Sequence, residues 1–379
     1  MKLRASTLIV YLMFLVANTA YFFAFIAVDP IRTSAEFDRR ADVPYYGIFQ
    51  LPAVYDYLKT EHLFVAIEEG RFCAGCGNFG PENGADVLSQ NFGITLFYVQ
   101  LSKILPLDYD LLAFIVNNLC LVLAYYYGVK IISGLGWSTR YSYLFFVNPQ
   151  LILYSQLINK EPATLLFVLL LTYLVSKRQR GKFAVATLAA WILRHQLFFF
   201  AVFLYLIYFA RRFRVRLWQM YAVSAFGAAW LAMRIMASNP EAMSESGFSR
   251  FLLVANAEYY LGNLLLAPIK VVQWIYEEMV LSLYFFADGR INLYLMKELG
   301  VIVVVAVLAK RLIPILLRVK RGGMGGERLL LSAIFAFALM ELINPIIHQR
   351  YLFPVLVLLI MLGLCAPRRT TMAHGMGRV

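Results

Sequence analysis

Apolar residues run through this chain in long blocks, and the breaks between blocks alternate between basic clusters and mixed or acidic turns. The first block, Leu8 to Val28, follows Lys2 and Arg4 and exceeds the ~7–15-residue apolar core of a signal peptide. It predicts a retained first helix. Further blocks predict helices over Leu111 to Gly128, Tyr141 to Ile158, Ala163 to Ser176, Phe183 to Leu193, Leu197 to Ala210 and Leu217 to Ala237. Three more follow at Gly300 to Leu316, Leu329 to Leu342 and Tyr351 to Cys365. Phe92 to Leu107 and Leu261 to Phe286 read as interfacial helices, because they carry Lys103, Lys270, Glu277 and Glu278. The expected fold is an all-α polytopic membrane protein of about ten transmembrane helices; if both interfacial segments cross, the count rises to about twelve with unchanged parity.

Composition agrees with the pattern. With 61% hydrophobic and 15% charged residues and a mean hydropathy of +0.68, the chain is too apolar for an ordinary soluble core. The basic clusters are Lys2 and Arg4; Lys130 and Arg140; Lys177, Arg178, Arg180 and Lys182; Arg211, Arg212, Arg214 and Arg216; Lys310 to Arg328; and Arg368, Arg369 and Arg378. Placing them in the cytoplasm puts 21 of the 35 Lys and Arg residues there, with Glu327 alone among the 22 carboxylates. Both termini are then cytoplasmic, and the location expected is the inner (plasma) membrane. The net charge of +13 needs no nucleic acid, since basic loops beside anionic membrane lipid account for it.

Three hairpins carry the functional argument. Between Lys182 and Arg211 lie 28 residues whose two ends share the cytoplasmic side. Each arm of about 14 residues reaches ~21 Å, short of the ~30 Å hydrocarbon core. The tip Arg194-His195-Gln196 should therefore sit below the outer surface. Asn159-Lys160-Glu161-Pro162 and His348-Gln349-Arg350 occupy comparable tips. Charge at that depth is tolerated only beside protein or water, so an outward-facing polar cavity is expected.

The loop from Asp29 to Asn91 (29–91) is acidic and aromatic, too aromatic for a disordered linker, and can cover that cavity. A later extracytoplasmic or interfacial segment spans 238–292. Together they belong to one integral membrane domain covering 1–379. Within the loop, Cys73 and Cys76 suit a local disulfide in an oxidising compartment, while Cys120 and Cys365 lie in predicted spans and read as packing residues. Phe198-Phe199-Phe200 and Tyr125-Tyr126-Tyr127 read as lipid-facing or helix-packing surface.

Asp38 and Asp42 in the first loop, Asn148-Pro149 to Lys160-Glu161, Ile192-Leu193-Arg194-His195 and His348-Gln349-Arg350-Tyr351 together resemble the GT-C superfamily of polyprenyl-phosphate-sugar-dependent membrane glycosyltransferases, which includes protein O-mannosyltransferase and aminoarabinose-transferase types. The resemblance implies transfer, with inversion, of a sugar from a polyprenyl-phosphate carrier to a lipid-linked glycan, polysaccharide or protein acceptor in cell-envelope assembly. Asp42 or Asp38 would be the base, with Glu161 joining it or orienting the acceptor. Lys160, Arg194, His195, His348 and Arg350 would hold the donor phosphate. Lys160-Glu161 stands where metal-dependent oligosaccharyltransferases carry Asp-x-Asp, and the first loop lacks an Asp-Glu pair. The base and any divalent cation therefore stay open.

Other readings of the same residues remain. Arg194 and Arg350 can snorkel or pair with carboxylates, Lys160-Glu161 can close a turn, and the two histidines can be structural. At the level of function, one rival is an O-antigen or exopolysaccharide polymerase using polyprenyl-diphosphate repeat units. The other is a lipid or solute transporter, or a non-catalytic envelope-assembly subunit.

Overall fold

The computed structural model describes residues 5–28, 45–46, 49–50, 63–74, 84–87, 92–107, 109–139, 160–209, 291–292, 327–341 and 349–365, with scattered positions in 142–155 and 218–230. The helices are α1 (Ala5–Val28), α2 (Phe92–Ile104), α3 (Tyr109–Gly134), α4 (Glu161–Ser176), α5 (Arg180–Leu193), α6 (Gln196–Tyr208), α7 (Glu327–Glu341) and α8 (Gln349–Ile360), the last running into a π-helical turn, Met361–Cys365. Each lies on an apolar block or interfacial segment of the sequence. The loops add two-residue strands to the helical expectation: β1 (Tyr45–Tyr46), β2 (Phe49–Gln50), β3 (Phe72–Cys73), β4 (Ala85–Asp86) and β5 (Ile291–Asn292). β2 pairs antiparallel with β1 and parallel with β5, with Phe49 opposite Ile291. The first loop and the later segment at 291–292 therefore meet.

Side-chain contacts give the helix directions. Phe22 stacks on Phe114 at 4.4 Å and Asn18 donates to Asn118 at 2.8 Å, so α1 runs antiparallel to α3. A Cβ on Gly128 would lie 3.8 Å from both Leu169 Cδ1 and Met361 Sδ, which sets α3, α4 and the end of α8 side by side. Arg328 donates to the Tyr208 carbonyl at 3.0 Å and Phe200 meets Phe337 at 5.9 Å, so α7 returns along α6. One end of the bundle thus gathers the starts of α3, α4, α6 and α8 with the ends of α5 and α7. The other end gathers Lys130, Lys177, Arg178, Arg180, Lys182 and Arg328.

Packing divides into two cores. The larger includes Leu121, Leu165, Leu169, Phe200, Leu204, Phe337 and Val357, and unites the bundle. The smaller joins Leu63, Phe64 and Ile67 to Tyr98, Val99, Leu112 and Ala113, docking α2 on the start of α3. A buried polar chain ties α1 to α3: Ser155 donates to Asn18, Asn18 to Asn118, and Asn117 to the Ser155 carbonyl. Such bonds hold helices together where apolar surface alone gives no preference between a helix and lipid.

Outward faces are apolar as well. Leu8, Leu12 and Val16 on α1, Ile115 and Leu119 on α3, Val185, Leu188 and Trp191 on α5, and Phe198 and Phe199 on α6 are exposed, while Phe200 is buried. The aromatic runs therefore serve both surface and packing. Among the described residues one helical stretch, Leu111–Gly134, is long and apolar enough to cross a membrane by itself.

α4 ends in an arrangement that glycine normally serves. Gln179 N–H bonds the Leu174 carbonyl and Arg178 N–H bonds that of Val175, with Arg178 at φ 54°. A non-glycine residue there carries a cost of about 1–2 kcal/mol, part of which glycine gives back through a freer unfolded chain. Arg178→Gly should raise stability by up to about 1 kcal/mol, read as an upward shift in thermal unfolding of the detergent-solubilised chain.

Candidate functional site

α4 begins at a proline-containing first turn. Pro162 lacks only an N–H that an α-helix leaves unbonded there, and its fixed φ suits the start. Lys160 caps the helix without a side-chain cap bond. Its carbonyl accepts from both Thr164 N–H, at 2.8 Å, and Thr164 Oγ1, at 2.7 Å. The first turn is thereby tied down, with Glu161 buried within it.

Opposite lies the turn between α5 and α6. Arg194 leaves the helix at φ −153°, ψ 106° while its N–H still bonds the Ala190 carbonyl, and His195 starts α6. The guanidinium is 2% exposed. Nε donates to Gln196 Oε1 at 2.9 Å and Nη1 to Thr164 Oγ1 at 3.2 Å. Nη2 lies 3.6 Å from Glu341 Oε1, on the last residue of α7, which is 1% exposed. That separation exceeds a direct hydrogen bond, so charge attraction carries the contact.

Two of the three predicted tips thus converge, joined by the end of α7. The site is a closed, packed ion cluster, where an open outward cavity was expected. Among the described residues, its charged members are Lys160, Arg194, Glu161 and Glu341. The positive ends of α4 and α6 add to the cations, and Glu161 sits where a carboxylate is favoured; Glu341, at a helix C-terminus, sits where one is disfavoured.

Lys160 stands in the turn before α4 and is partly exposed. Dense surroundings and then the Arg194 charge pull its ammonium down to about 8, against the opposing pull of Glu161 and Glu341. His195, with its ring 6.0 Å from Trp191, is held below its ordinary value by burial. The native lysine lies below its unfolded value of ~10.4, so this residue contributes more stability to the fold as pH rises from about 8 toward that value. An anion held by Lys160 follows the opposite course, weakening as the ammonium loses its proton. Affinity for a phosphodiester bound at Lys160 should therefore fall between pH 7 and 9 in the wild type and stay flat in Lys160→Arg, measured by equilibrium binding at each pH.

Of the remaining predicted residues, Asp38, Asp42 and His348 lie outside the described residues. Arg350 is in the first turn of α8, its side chain outside them. Cys73 is disulfide-bonded and Cys120 and Cys365 are free thiols; Cys76 lies outside the described residues. Among those described, no three His, Cys, Asp or Glu residues are placed to hold a metal ion.

The sequence reading passed over two partners, Thr164 and Glu341. Glu341 had a readable signal, a single carboxylate at the end of an apolar block; a threonine hydroxyl in an apolar helix has none. Compared with known protein families, curated proteins and solved structures, the chain matches none of them.

Proposed function

We propose that this chain is a multi-pass membrane glycosyltransferase that moves a sugar from a polyprenyl-phosphate carrier to a glycan or protein acceptor on the extracytoplasmic side. The observation that carries the reading is the meeting of Lys160, Glu161 and Arg194 at one end of the bundle, through Thr164 and Glu341. Supporting it are the apolar outward faces of α1, α3, α5 and α6 and the gathering of basic residues at the opposite end, which suits the cytoplasmic side. A disulfide at Cys73 suits an extracytoplasmic first loop.

In this reaction a carboxylate takes the acceptor hydroxyl proton, and the acceptor oxygen forms a bond to the anomeric carbon. The bond from that carbon to the phosphate oxygen breaks, and the phosphate leaves with the electron pair. Lys160 and Arg194 stabilise the growing negative charge, Arg194 through forked contacts. Glu161 orients the acceptor or serves with Asp38 or Asp42 as base; a divalent cation at these carboxylates belongs to the same proposal.

The closure of the cluster favours one alternative, a transporter or assembly subunit in which the ion pair locks helices together. Mass spectrometry of lipid-linked glycans from cells with and without the protein separates the readings. The transferase predicts accumulated polyprenyl-monophosphate sugar and an acceptor one residue short. Single repeat units on polyprenyl diphosphate would indicate a polymerase, and an unchanged pool would overturn both enzyme readings.

A further inference from the structure

Between α3 and the end of α8 lies a cavity of about 350 Å³. Gly128, Val129 and Ile132 wall it on one side and Val357, Ile360 and Met361 on the other. These walls are buried and apolar, and the Tyr125 hydroxyl beside them is bonded to Ser142 Oγ at 3.1 Å. A space of this kind stays dry and takes apolar ligands. The π-helical turn shapes it. In an α-helix the row Val357, Ile360 and Met361 would continue at position 364; the turn Met361–Cys365 adds one residue and brings Cys365, a buried free thiol, onto the cavity wall. Turns that depart from the α-helix in this way are frequent at functional sites.

The cavity lies at the basic end of the bundle. From Tyr125 to Ile132 it extends ~10 Å along the last turns of α3. A Cβ on Gly134, two residues further, would lie 3.5 Å from Lys177 Nζ. Lys177 is followed by Arg178, Arg180 and Lys182, all exposed, and Arg368 and Arg369 come three and four positions after Cys365 in the sequence. We propose that this cavity binds one acyl chain of an anionic phospholipid, whose headgroup lies against the cations where α3 and α4 end. An apolar slot beside exposed cations complements a molecule made of a hydrocarbon tail and a phosphate. A polyprenyl-phosphate donor fits less well, because its phosphate belongs at the opposite end, with Arg194. The site goes beyond the transferase reading and uses none of its residues; it rests on the basic end lying at a membrane surface.

The full chain in phosphatidylcholine nanodiscs is irradiated with a trace of phosphatidylglycerol or of phosphatidylcholine carrying a diazirine on one acyl chain, and the crosslinked peptides are mapped by mass spectrometry. The anionic probe should mark 125–132 and 357–365 roughly tenfold more than the zwitterionic one. Lys177→Gln combined with Arg180→Gln, both at exposed positions, should bring the two probes level. Gly128→Ala sets a methyl in the cavity at ordinary contact distance from Leu169 and Met361, so the fold is kept. It should cut labelling about fourfold, the worth of one buried methylene. Equal marking by both probes, no marking of these stretches, or labelling untouched by Gly128→Ala would overturn the proposal. Displacement of the anionic probe by farnesyl monophosphate but not by unlabelled phosphatidylglycerol would overturn the choice of a phospholipid and give the cavity to an isoprenoid chain. The transferase reading fails instead on the glycan pools, so the two failures are distinct.

Discussion

Arg194→Gln should unfold at a markedly lower temperature and leave cells with the glycan profile of those lacking the protein. The side chain is 2% exposed and holds together α4, α6 and α7 through Thr164, Gln196 and Glu341. Without it, the buried Glu341 carboxylate loses the guanidinium it faces, and breaking a buried ion pair from one side costs about 3–5 kcal/mol. Arg194→Lys separates stability from chemistry. It retains the charge beside Glu341 but cannot present the planar fork that reaches Gln196 and Thr164 together. It should unfold close to the wild type and still lose transfer, measured by thermal unfolding beside glycan mass spectrometry. Transfer at the wild-type level in Arg194→Lys would remove Arg194 from the phosphate site as a fork.

The second large effect is expected at Gly93, in the first turn of α2. A Cβ there would lie 1.6 Å from the Ile192 carbonyl oxygen and 2.7 Å from its carbon. These are backbone atoms, two residues before Arg194, so no side-chain rotation relieves the clash. Gly93→Ala should destabilise by about 1–3 kcal/mol or more, since overpacking on this scale must move an element. Because α2 presses on the stretch leading to the guanidinium, the displacement should also weaken donor binding. Gly181→Ala is the control. Nothing lies within 4 Å of its Cβ, and replacing glycine inside a helix should instead stabilise by about 0.5–1 kcal/mol. Thermal unfolding and farnesyl monophosphate binding of both variants test the pair; a Gly93→Ala protein as stable as the wild type would contradict the close approach of α2.

Helices were legible in the sequence because apolar blocks stop at charge, and α1, α4, α5, α6 and α7 lie close to those limits. α3 shows where that rule fails. It was expected to stop at Gly128 but continues through Lys130 to Gly134, with the lysine Nζ 5.3 Å from the centre of the Tyr126 ring. A charge interrupts an apolar run without interrupting a helix, because a long stem carries it to the surface. Arg194, Lys160 and Glu161 were singled out because arms of that length would be too short for a bilayer and would leave charged tips at depth, where a charge needs a partner. Their closure was not legible, since burial of Arg194 depends on Glu341, 147 positions later in the chain, and on a threonine hydroxyl that no hydropathy pattern marks. The short strands were hidden for a related reason: two-residue pairings such as Phe49 with Ile291 carry too little alternation to read.

The central claim is that the charged cluster and the basic turn lie on opposite sides of a membrane, with the cluster outside. Single cysteines test it most directly, in a background with Cys120 and Cys365 replaced by alanine. Leu107→Cys lies in the turn before α3, at the end that carries the cluster, and Gln179→Cys in the exposed basic turn between α4 and α5. A membrane-impermeant maleimide applied to intact cells should label Leu107→Cys at once and Gln179→Cys only after lysis. Labelling of both in intact cells, or of Gln179→Cys alone, would contradict the account.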